Sequence, residues 1–317
     1  MRWTDEADAV FGADLTAALA YVTPAGGVVV TAVAPVGMRD REAGWIAFST
    51  SLGFGRKLDR IRRDPRVALA FHSRQYAVAE PGTTPDDAFV LVQGKAEIIA
   101  DPSDEDRAML TAHSARMLGP AKHGRLFWDR WLREYYRVRV PVRIAVERVV
   151  RWPDPRCAGP HDVLGLPWPD GPAPPQAPPT GGAAPRVDAA RAARRGAAHT
   201  HHLLGYRGSD GYPVVVPVHI GTAGADGIRL TSTPGLLPPG GRRAGLLVHS
   251  YRPALVGLST RYHTGWLDTD EQGEARYAPH TSGGFVAPPN RTLMLFFNGL
   301  MAKRGVRAFR EPSTGRS

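Results

Sequence analysis

Two hydroxyl side chains and two adjacent cations stand close together in the first half of the chain. Ser49 and Thr50 end an apolar run, and Arg56 and Lys57 open a short stretch with helical spacing. A phosphate group is bound by positive charge, by hydroxyl donors and by the free N–H groups at the start of a helix. The sequence therefore predicts an anion-binding site formed by these four residues. The alternative is a polar strand end followed by a solvated helix face.

The elements that must position this site follow from the hydrophobic pattern. Short β-rich runs predict strands at residues 28–36, 45–48, 66–71, 89–99 and 138–150. Helical spacing predicts helices over residues 5–19, 56–63 and 126–136, and a further helix that starts at Ser103. The first half is therefore expected to be mainly β, with peripheral α-helices.

The second half of the chain repeats the order of landmarks found in the first half. The matched positions are, in order, Pro35 and Pro217, Phe48 and Leu230, the hydroxyl triplets 49–51 and 231–233, His72 and His249, and Gly94 and Gly265. The gaps between matched strands change while their order holds, as expected when loops vary and strands are kept. This internal duplication predicts two barrels packed face to face about an approximate two-fold axis.

A segment rich in proline and glycine separates the two halves. Residues 153–185 contain 11 of the 29 prolines, which excludes regular helix and central strand there. We therefore expect a first barrel at 1–152, a linker with a short helix at 153–198, and a second, degenerate copy at 199–317. Apolar residues within the linker, such as Trp168, favour an extended strap over a loose tether.

The net charge of +10 does not by itself indicate a nucleic-acid partner. Residues 1–150 carry +2 and residues 151–317 carry +8, and no basic run is interleaved with aromatic residues. No apolar run reaches the length of a membrane helix, and the N-terminus lacks the pattern of a signal peptide. We therefore expect a cytoplasmic protein that binds a small molecule and neither nucleic acid nor membrane. The single cysteine, Cys157, excludes an intrachain disulfide.

Several features of residues 45–71 occur together and in a characteristic order. A strand ends in hydroxyl residues, a loop leads to Arg56-Lys57, and Asp64-Pro65-Arg66-Val67 opens the next strand. With the Val-Gln-Gly-Lys-Ala-Glu run at 92–97, this stretch resembles the pyridoxamine 5'-phosphate oxidase-like family of flavin-binding split β-barrels. The resemblance covers about residues 10–150 and reaches 200–317 only through the repeat. It implies two tandem split β-barrels that form an intrachain pseudo-dimer, present as a monomer or as a homodimer.

The resemblance also implies a function, that of a flavoprotein oxidoreductase acting on a small molecule. The phosphate of FMN would be held by Ser49, Thr50, Arg56 and Lys57, and the residues under its ring would be Val30, Thr31, Ala32 and Val33. FMN-binding members carry an arginine and a lysine on the strand that spans residues 31–36 here, and this chain lacks both. The alternative to FMN is a deazaflavin coenzyme. The alternatives to an oxidoreductase are a haem-binding or haem-degrading protein and a non-catalytic flavin-binding protein.

One phosphate site, in the first barrel, is the simplest expectation. Lys57 has no basic counterpart in the second copy, where Arg242 and Arg243 are the nearest substitutes. The second barrel is then expected to supply the opposite wall of the pocket. No side chain is assigned as a catalytic acid or base.

Histidines supply the remaining candidates. His199 and His201 would share one face of a strand and could hold a metal or a haem, but no Asp, Glu or Cys stands at a typical ligand spacing, and no metal site is predicted. We interpret His72 and His249 as histidines of the barrel core or of the interface between barrels rather than as pocket walls.

Overall fold

The computed structural model describes residues 1–51, 54–72, 87–118, 139–251, 257–290 and 292–293. Its strands form two antiparallel sheets, one in each half of the chain. The first sheet contains β1 (Ala17–Val22), β2 (Val28–Val33), β3 (Arg39–Asp40), β4 (Trp45–Ser51), β5 (Arg66–Phe71), β6 (Phe89–Ile98), β7 (Arg139–Trp152) and β8 (Asp162–Gly165). The second contains β9 (His201–Arg207), β10 (Pro213–Pro217), β11 (His219–Gly224), β12 (Gly227–Thr231), β13 (Gly240–Ser250), β14 (Ser259–Thr269) and β15 (Ala275–Val286). The helices are α1 (Asp5–Ala13), α2 (Gly55–Arg63), α3 (Asp104–Leu118) and α4 (Ala189–Ala197).

Both sheets have the same strand order. The first runs β2-β1-β5-β6-β7-β4-β3, with β8 added beside β7, and the second runs β10-β9-β13-β14-β15-β12-β11. Each strand of the second sheet is the eighth after its counterpart in the first, so the connectivity is repeated in full. The prediction of two tandem split β-barrels, mainly β with few helices, is confirmed.

The glycines matched in the repeat occupy equivalent irregularities of the two sheets. Gly94 lies where the β6–β7 register shifts, and Gly265 lies where the β14–β15 register shifts. A Cβ atom on Gly94 would lie 2.1 Å from the carbonyl oxygen of Ala145, and one on Gly265 would lie 2.1 Å from that of Ala278. The same close approach of backbone to backbone is therefore built twice, which supports a true duplication.

The first helix is shorter than predicted, because the run at residues 5–19 contains a helix and a strand. The hydroxyl of Thr4 accepts a hydrogen bond from Ala7 N, and α1 ends at Ala13. All six residues of β1 are buried, since β1 lies between β2 and β5 and both of its faces are covered. An apolar run without alternation does not distinguish such a strand from a buried helix.

Other predicted elements can be compared with the structure in the same way. The helix expected to start at Ser103 is α3, and the hydroxyl of Ser103 accepts a hydrogen bond from Asp106 N. The strand expected at 28–36 ends at Val33, before the turn in which Met38 N donates to Pro35 O. The helix predicted over 126–136 lies outside the described residues.

At the contact between the barrels, strands of each barrel pack against strands of the other. β2 of the first barrel packs on β9, β13 and β14, and β10 of the second packs on β1 and β5. Close approach is allowed by small residues: a Cβ on Gly205 would lie 2.4 Å from a methyl of Val30, and one on Gly245 would lie 2.5 Å from Val28 O. A single hydrophobic cluster contains buried residues of both halves. A contact of the kind that forms between the subunits of a dimer thus lies within one chain.

The proline-rich segment is a strap that runs across both barrels. Within it, β8 pairs with β7, so this part of the predicted linker belongs to the first sheet. Further along, the side chain of Gln176 donates to Gly26 O in the first barrel and accepts from Arg243 N in the second. Among the helices of the described ranges, none has the length and apolar composition of a membrane span.

Two matched histidines meet at the contact between barrels. His72 Nε2 and His249 Nε2 are 2.8 Å apart, and His72 Nδ1 lies 3.1 Å from Ala70 O. A carbonyl oxygen only accepts, so Nδ1 of His72 carries the proton, and in the neutral pair Nε2 of His249 donates to Nε2 of His72. His249 is completely buried, and within the described part of the chain its Nδ1 has no hydrogen-bond partner. Protonation of His249 would therefore bury an unsatisfied donor.

We expect the free energy of unfolding to fall as the pH drops below the ordinary histidine pKa of 6.5. Burial, and then the neighbouring His202, lowers the pKa of His201 to about 4. Burial also lowers the pKa of His202, His249 and His263. The unfolded chain takes up protons that the folded chain excludes, so each such histidine costs up to about 1.4 kcal/mol per pH unit below 6.5. Above that pH the effect is absent.

Urea unfolding measured at several pH values tests this expectation. The free energy of unfolding should decline with acidification in the wild type, and the slope should be smaller by nearly one proton in His201→Asn. Equal slopes in the two proteins would show that burial of His201 does not contribute.

Candidate functional site

The helix α2 presents an uncapped N-terminus beside the end of β4. Leu58 and Ile61 are buried on one face of the helix, which anchors it against the first barrel. Phe54 stands at the N-cap position and provides no side-chain cap, and the first turn contains no acidic residue. Lys57 N already donates to Phe54 O at 2.9 Å. Among the described residues, the N–H groups of Gly55 and Arg56 and the positive end of the helix dipole are left for another acceptor.

Lys57 is the central cation of this region and is half-buried. Its Nζ lies 5.8 Å from the ring centroid of Phe48 and 4.9 Å from that of Phe54. Burial, and then the positive charge of Arg139, lowers the pKa of this amine from 10.5 to about 7. No described residue places a carboxylate within ion-pair distance of Nζ. A half-buried amine with no anionic partner among the described residues is compatible with an anion site before its ligand arrives.

Arg139 belongs to the site and was not predicted. It begins β7 and stands opposite Ser51 in the β4–β7 pairing. Its Nε donates to Ser49 Oγ at 2.9 Å, and an Nη donates to Ser49 O at 2.9 Å. The hydroxyl of Ser49 is thus engaged in orienting a guanidinium. The sequence contained only a weak signal, a basic residue at the start of a strand 90 positions away.

The other predicted anion ligands differ in their surroundings. Thr50 is buried, and its Oγ1 has no hydrogen-bond partner among the described residues. Arg56 is exposed at the start of α2. Side chains alternate along β4, so Thr50 faces the same way as Phe48, whose ring neighbours Lys57. The structure thus places Thr50 on the face of β4 that carries Phe48, near Lys57. Ser49 and Arg139 lie on the opposite face of that strand.

The residues predicted to support a ring lie on both faces of β2. Val29 and Val33 belong to the core of the first barrel, and Thr31 lies on the same face by alternation. The hydroxyl of Thr31 is buried, and no described residue forms a hydrogen bond with it. Val30 faces the second barrel, where it packs against Gly205. Its side chain is therefore buried in the contact between the two barrels. Ala32 also packs on that side.

The second barrel contributes one aromatic residue to the core of the first. Tyr262 of β14 packs against both hydrophobic clusters. It lies near Tyr21 of β1, and the pKa of the Tyr21 phenol is raised to about 12, mainly by burial. A strand of the second half therefore packs a side chain against the core of the first barrel.

Comparison with known proteins gives matches only among solved structures, since no family model and no curated protein matches the chain. Protein Rv2991 from Mycobacterium tuberculosis is 24% identical, with a TM-score of 0.36, over 52% of this chain and 94% of that chain. A pyridoxamine 5'-phosphate oxidase-related, FMN-binding protein from Nostoc punctiforme is 10% identical, with a TM-score of 0.31, over 65% and 87%. A structure named F420 reductase is 19% identical, with a TM-score of 0.30, over 45% and 94%. The chain is similar to pyridoxamine 5'-phosphate oxidase-like proteins.

The second barrel has no counterpart of α2 in the corresponding connection. Between β12 and β13, where α2 would stand, the chain forms a non-helical connection. Arg242 is buried there and donates to the carbonyl oxygens of Ala173 and Pro238, at 2.8 and 3.0 Å. Arg243 donates to Gln176 and Ala177 of the strap. Both arginines therefore hold the strap in place and do not substitute for Lys57.

The histidines considered as metal or haem ligands have other contacts. His199 Nδ1 lies 2.8 Å from Arg195 O, and its Nε2 lies 3.0 Å from Ser259 Oγ. His201 begins β9, whereas His199 precedes that strand, and the ring of His201 packs 5.0 Å from that of His249. Across the ranges that the structure covers, no group of three or more His, Cys, Asp or Glu is arranged to hold a metal ion.

Proposed function

We propose that this chain is a flavin- or deazaflavin-dependent oxidoreductase that acts on a small molecule, with its cofactor held by the first barrel. The observation that carries the proposal is Lys57, a half-buried amine with no carboxylate partner among the described residues, in the first turn of an uncapped helix. Arg139 adds a second cation near the same strand end. This combination suits a phosphate group, which supplies the missing negative charge and several hydrogen-bond acceptors. FMN is the first candidate, and a deazaflavin coenzyme is the alternative.

The residues of the site would have separate roles in binding the cofactor. Lys57, Arg56 and the first N–H groups of α2 would hold the phosphate, and Thr50 would donate its free hydroxyl. Ser49 would act through Arg139, whose guanidinium it orients. On β2 the buried hydroxyl of Thr31 would meet the ring system, with Ala32 and Val33 as neighbours along the strand. When bound, the cofactor would supply the hydride or electron chemistry.

Cofactor titration of single variants tests this assignment. We expect FMN or a deazaflavin coenzyme to bind the wild type at about pH 6.5, and Lys57→Met and Arg139→Met each to weaken binding by about 10- to 100-fold, the value of a charge-assisted hydrogen bond. Fluorescence of the cofactor measures the affinity. Lys95→Met is the matched control, because Lys95 pairs with Glu147 on the surface of the same barrel.

Three outcomes would reject the proposal or its parts. Unchanged affinity in Lys57→Met would reject the site. A haem spectrum in the purified protein would favour the haem alternative. Tight cofactor binding without turnover, in the presence of reductants and a panel of small substrates, would leave a non-catalytic flavin-binding protein.

A further inference from the structure

The helix α4 exposes a group of arginines on the surface of the second barrel. Its buried face consists of alanine and glycine and packs on β11 and β12. On its outer face three arginines are exposed: Arg191, Arg194 and Arg195. Residues three and four apart are neighbours on a helix, and like charges at this spacing repel each other. Arg191 also stands in the first turn, where the helix dipole disfavours a cation.

Arg261 of β14 brings a fourth positive charge to the same surface. His199 links the two elements, because its Nδ1 lies 2.8 Å from Arg195 O and its Nε2 lies 3.0 Å from Ser259 Oγ. Side chains alternate along β14, so Arg261 lies on the same face of the strand as Ser259. The pKa of Arg195 is lowered, chiefly by the charge of Arg191 and in part by that of Arg261, which agrees with this proximity. We call this surface the arginine face; it comprises Arg191, Arg194, Arg195 and Arg261.

The charge of the arginine face is not compensated within the described part of the chain. No described carboxylate forms an ion pair with any of its four side chains. The carboxylate of Asp188 caps α4 and accepts a hydrogen bond from a backbone N–H at 2.8 Å. Other exposed arginines of the second barrel are paired, Arg229 with Glu274 at 3.3 Å and Arg276 with Asp226. The fold therefore keeps together like charges that repel each other, which points to a partner that supplies negative charge.

The chemistry of the arginine face indicates the class of this partner. A guanidinium stays charged and donates two parallel hydrogen bonds to a phosphate group. A helix that binds a membrane surface inserts large apolar side chains, and a protein interface needs apolar or aromatic anchors at its centre. α4 contains only alanine, arginine and glycine, and the exposed Val286, opposite Ser259 at the edge of the face, is a single aliphatic group. The arginine face therefore suits a polymer of phosphates that is bound by charge.

We propose that the arginine face binds the phosphate backbone of nucleic acid, independently of base sequence. The four guanidinium groups would contact phosphates of a duplex and release its condensed cations. The inference is independent of the cofactor site in the first barrel. It differs from the expectation drawn from the sequence, because Arg261 stands 66 positions after Arg195 and only the fold brings it to α4.

Salt dependence of duplex binding gives the first measurement. Fluorescence anisotropy of a labelled DNA duplex of about 20 base pairs, titrated with the full chain, gives the affinity between about 0.05 and 0.3 M salt. The logarithm of the binding constant should fall linearly with the logarithm of the salt concentration. The slope should be about −3 to −4, since each phosphate contact contributes about −0.9. A duplex of unrelated sequence should bind with the same affinity.

Two double variants with the same net charge distinguish the arginine face from the overall charge of the protein. Arg191→Gln with Arg194→Gln should weaken duplex binding by at least about tenfold at 0.1 M salt and reduce the slope by about 2. The matched control is Arg229→Gln with Arg276→Gln, which removes two exposed, paired arginines of the same barrel and should bind as the wild type does. Thermal unfolding should give similar midpoints for all three proteins, because the replaced side chains are exposed.

Each remaining outcome would overturn the proposal. Equal losses of affinity in the two double variants would assign binding to net charge and not to α4. Failure of the wild type to bind the duplex at 0.05 M salt would show that the arginine face does not recognise nucleic acid. Binding to vesicles of phosphatidylserine and phosphatidylcholine, without binding to the duplex, would assign the face to a membrane surface.

Discussion

Replacement of Arg148 with alanine is expected to lower the free energy of unfolding by about 3–5 kcal/mol, the usual cost of removing one partner from a buried charge network. Arg148 lies on β7 and is 3% exposed. Its Nη1 donates to Gln93 in the first barrel and, at 2.8 Å, to Asp210 in the second. Its Nε donates to Leu166 O of the strap at 2.9 Å.

The effect is large because Arg148 joins three parts of the chain at one point. The amide of Gln93 that accepts from it also donates to Pro213 O, so the network reaches β10. The rings of Trp168 and Tyr212 lie 5.6 and 5.7 Å from the guanidinium carbon. Truncation would leave the buried amide oxygen of Gln93, together with Asp210 and the strap carbonyl oxygens, without their donor.

Denaturant unfolding monitored by tryptophan fluorescence measures this cost. The control is Arg229→Ala, which removes an exposed ion pair with Glu274 at 3.3 Å and should cost less than about 1 kcal/mol. If the contact between barrels depends on Arg148, the variant should also separate unfolding into two transitions. A cost equal to that of Arg229→Ala would show that the junction does not depend on this residue.

The repeat made the fold predictable from sequence, because a duplication constrains two halves at once. Matched positions such as Phe48 and Leu230 defined equivalent strands before any pairing was known, and the common strand order agrees with them. Local sequence patterns predicted the type of element less reliably where both faces of the element are buried. The β1 segment has the composition of a helix, and only its position between β2 and β5 makes it a strand.

The candidate site could be predicted only in its local part. Lys57 and Thr50 lie close together in sequence, so a single motif contains both. Arg139 meets Ser49 through the β4–β7 pairing, and the choice of strand partner is a long-range property that spacing does not reveal. The contact between Val30 and Gly205 likewise follows from the packing of the two barrels. The meeting of His72 with His249 needed the two-fold geometry in addition to the repeat.

Alanine at either bulge glycine is expected to destabilise the fold by about 3 kcal/mol, at the upper end of the usual cost of overpacking. The added methyl of Gly94→Ala would lie 2.1 Å from Ala145 O, and that of Gly265→Ala 2.1 Å from Ala278 O. Both obstacles are strand backbone, so relief requires a change in strand pairing and not a rotamer change.

The two sites test the duplication as well as the packing, because equivalent bulges should respond to the same change by similar amounts. Gly171→Ala is the control, since a Cβ there meets nothing within 4 Å, and its cost should be near zero or slightly favourable. Thermal unfolding of the three variants gives the comparison. If Gly94→Ala left the stability unchanged while Gly265→Ala lowered it, the first barrel would tolerate a regular β6–β7 pairing. The bulge would then not be required in both halves.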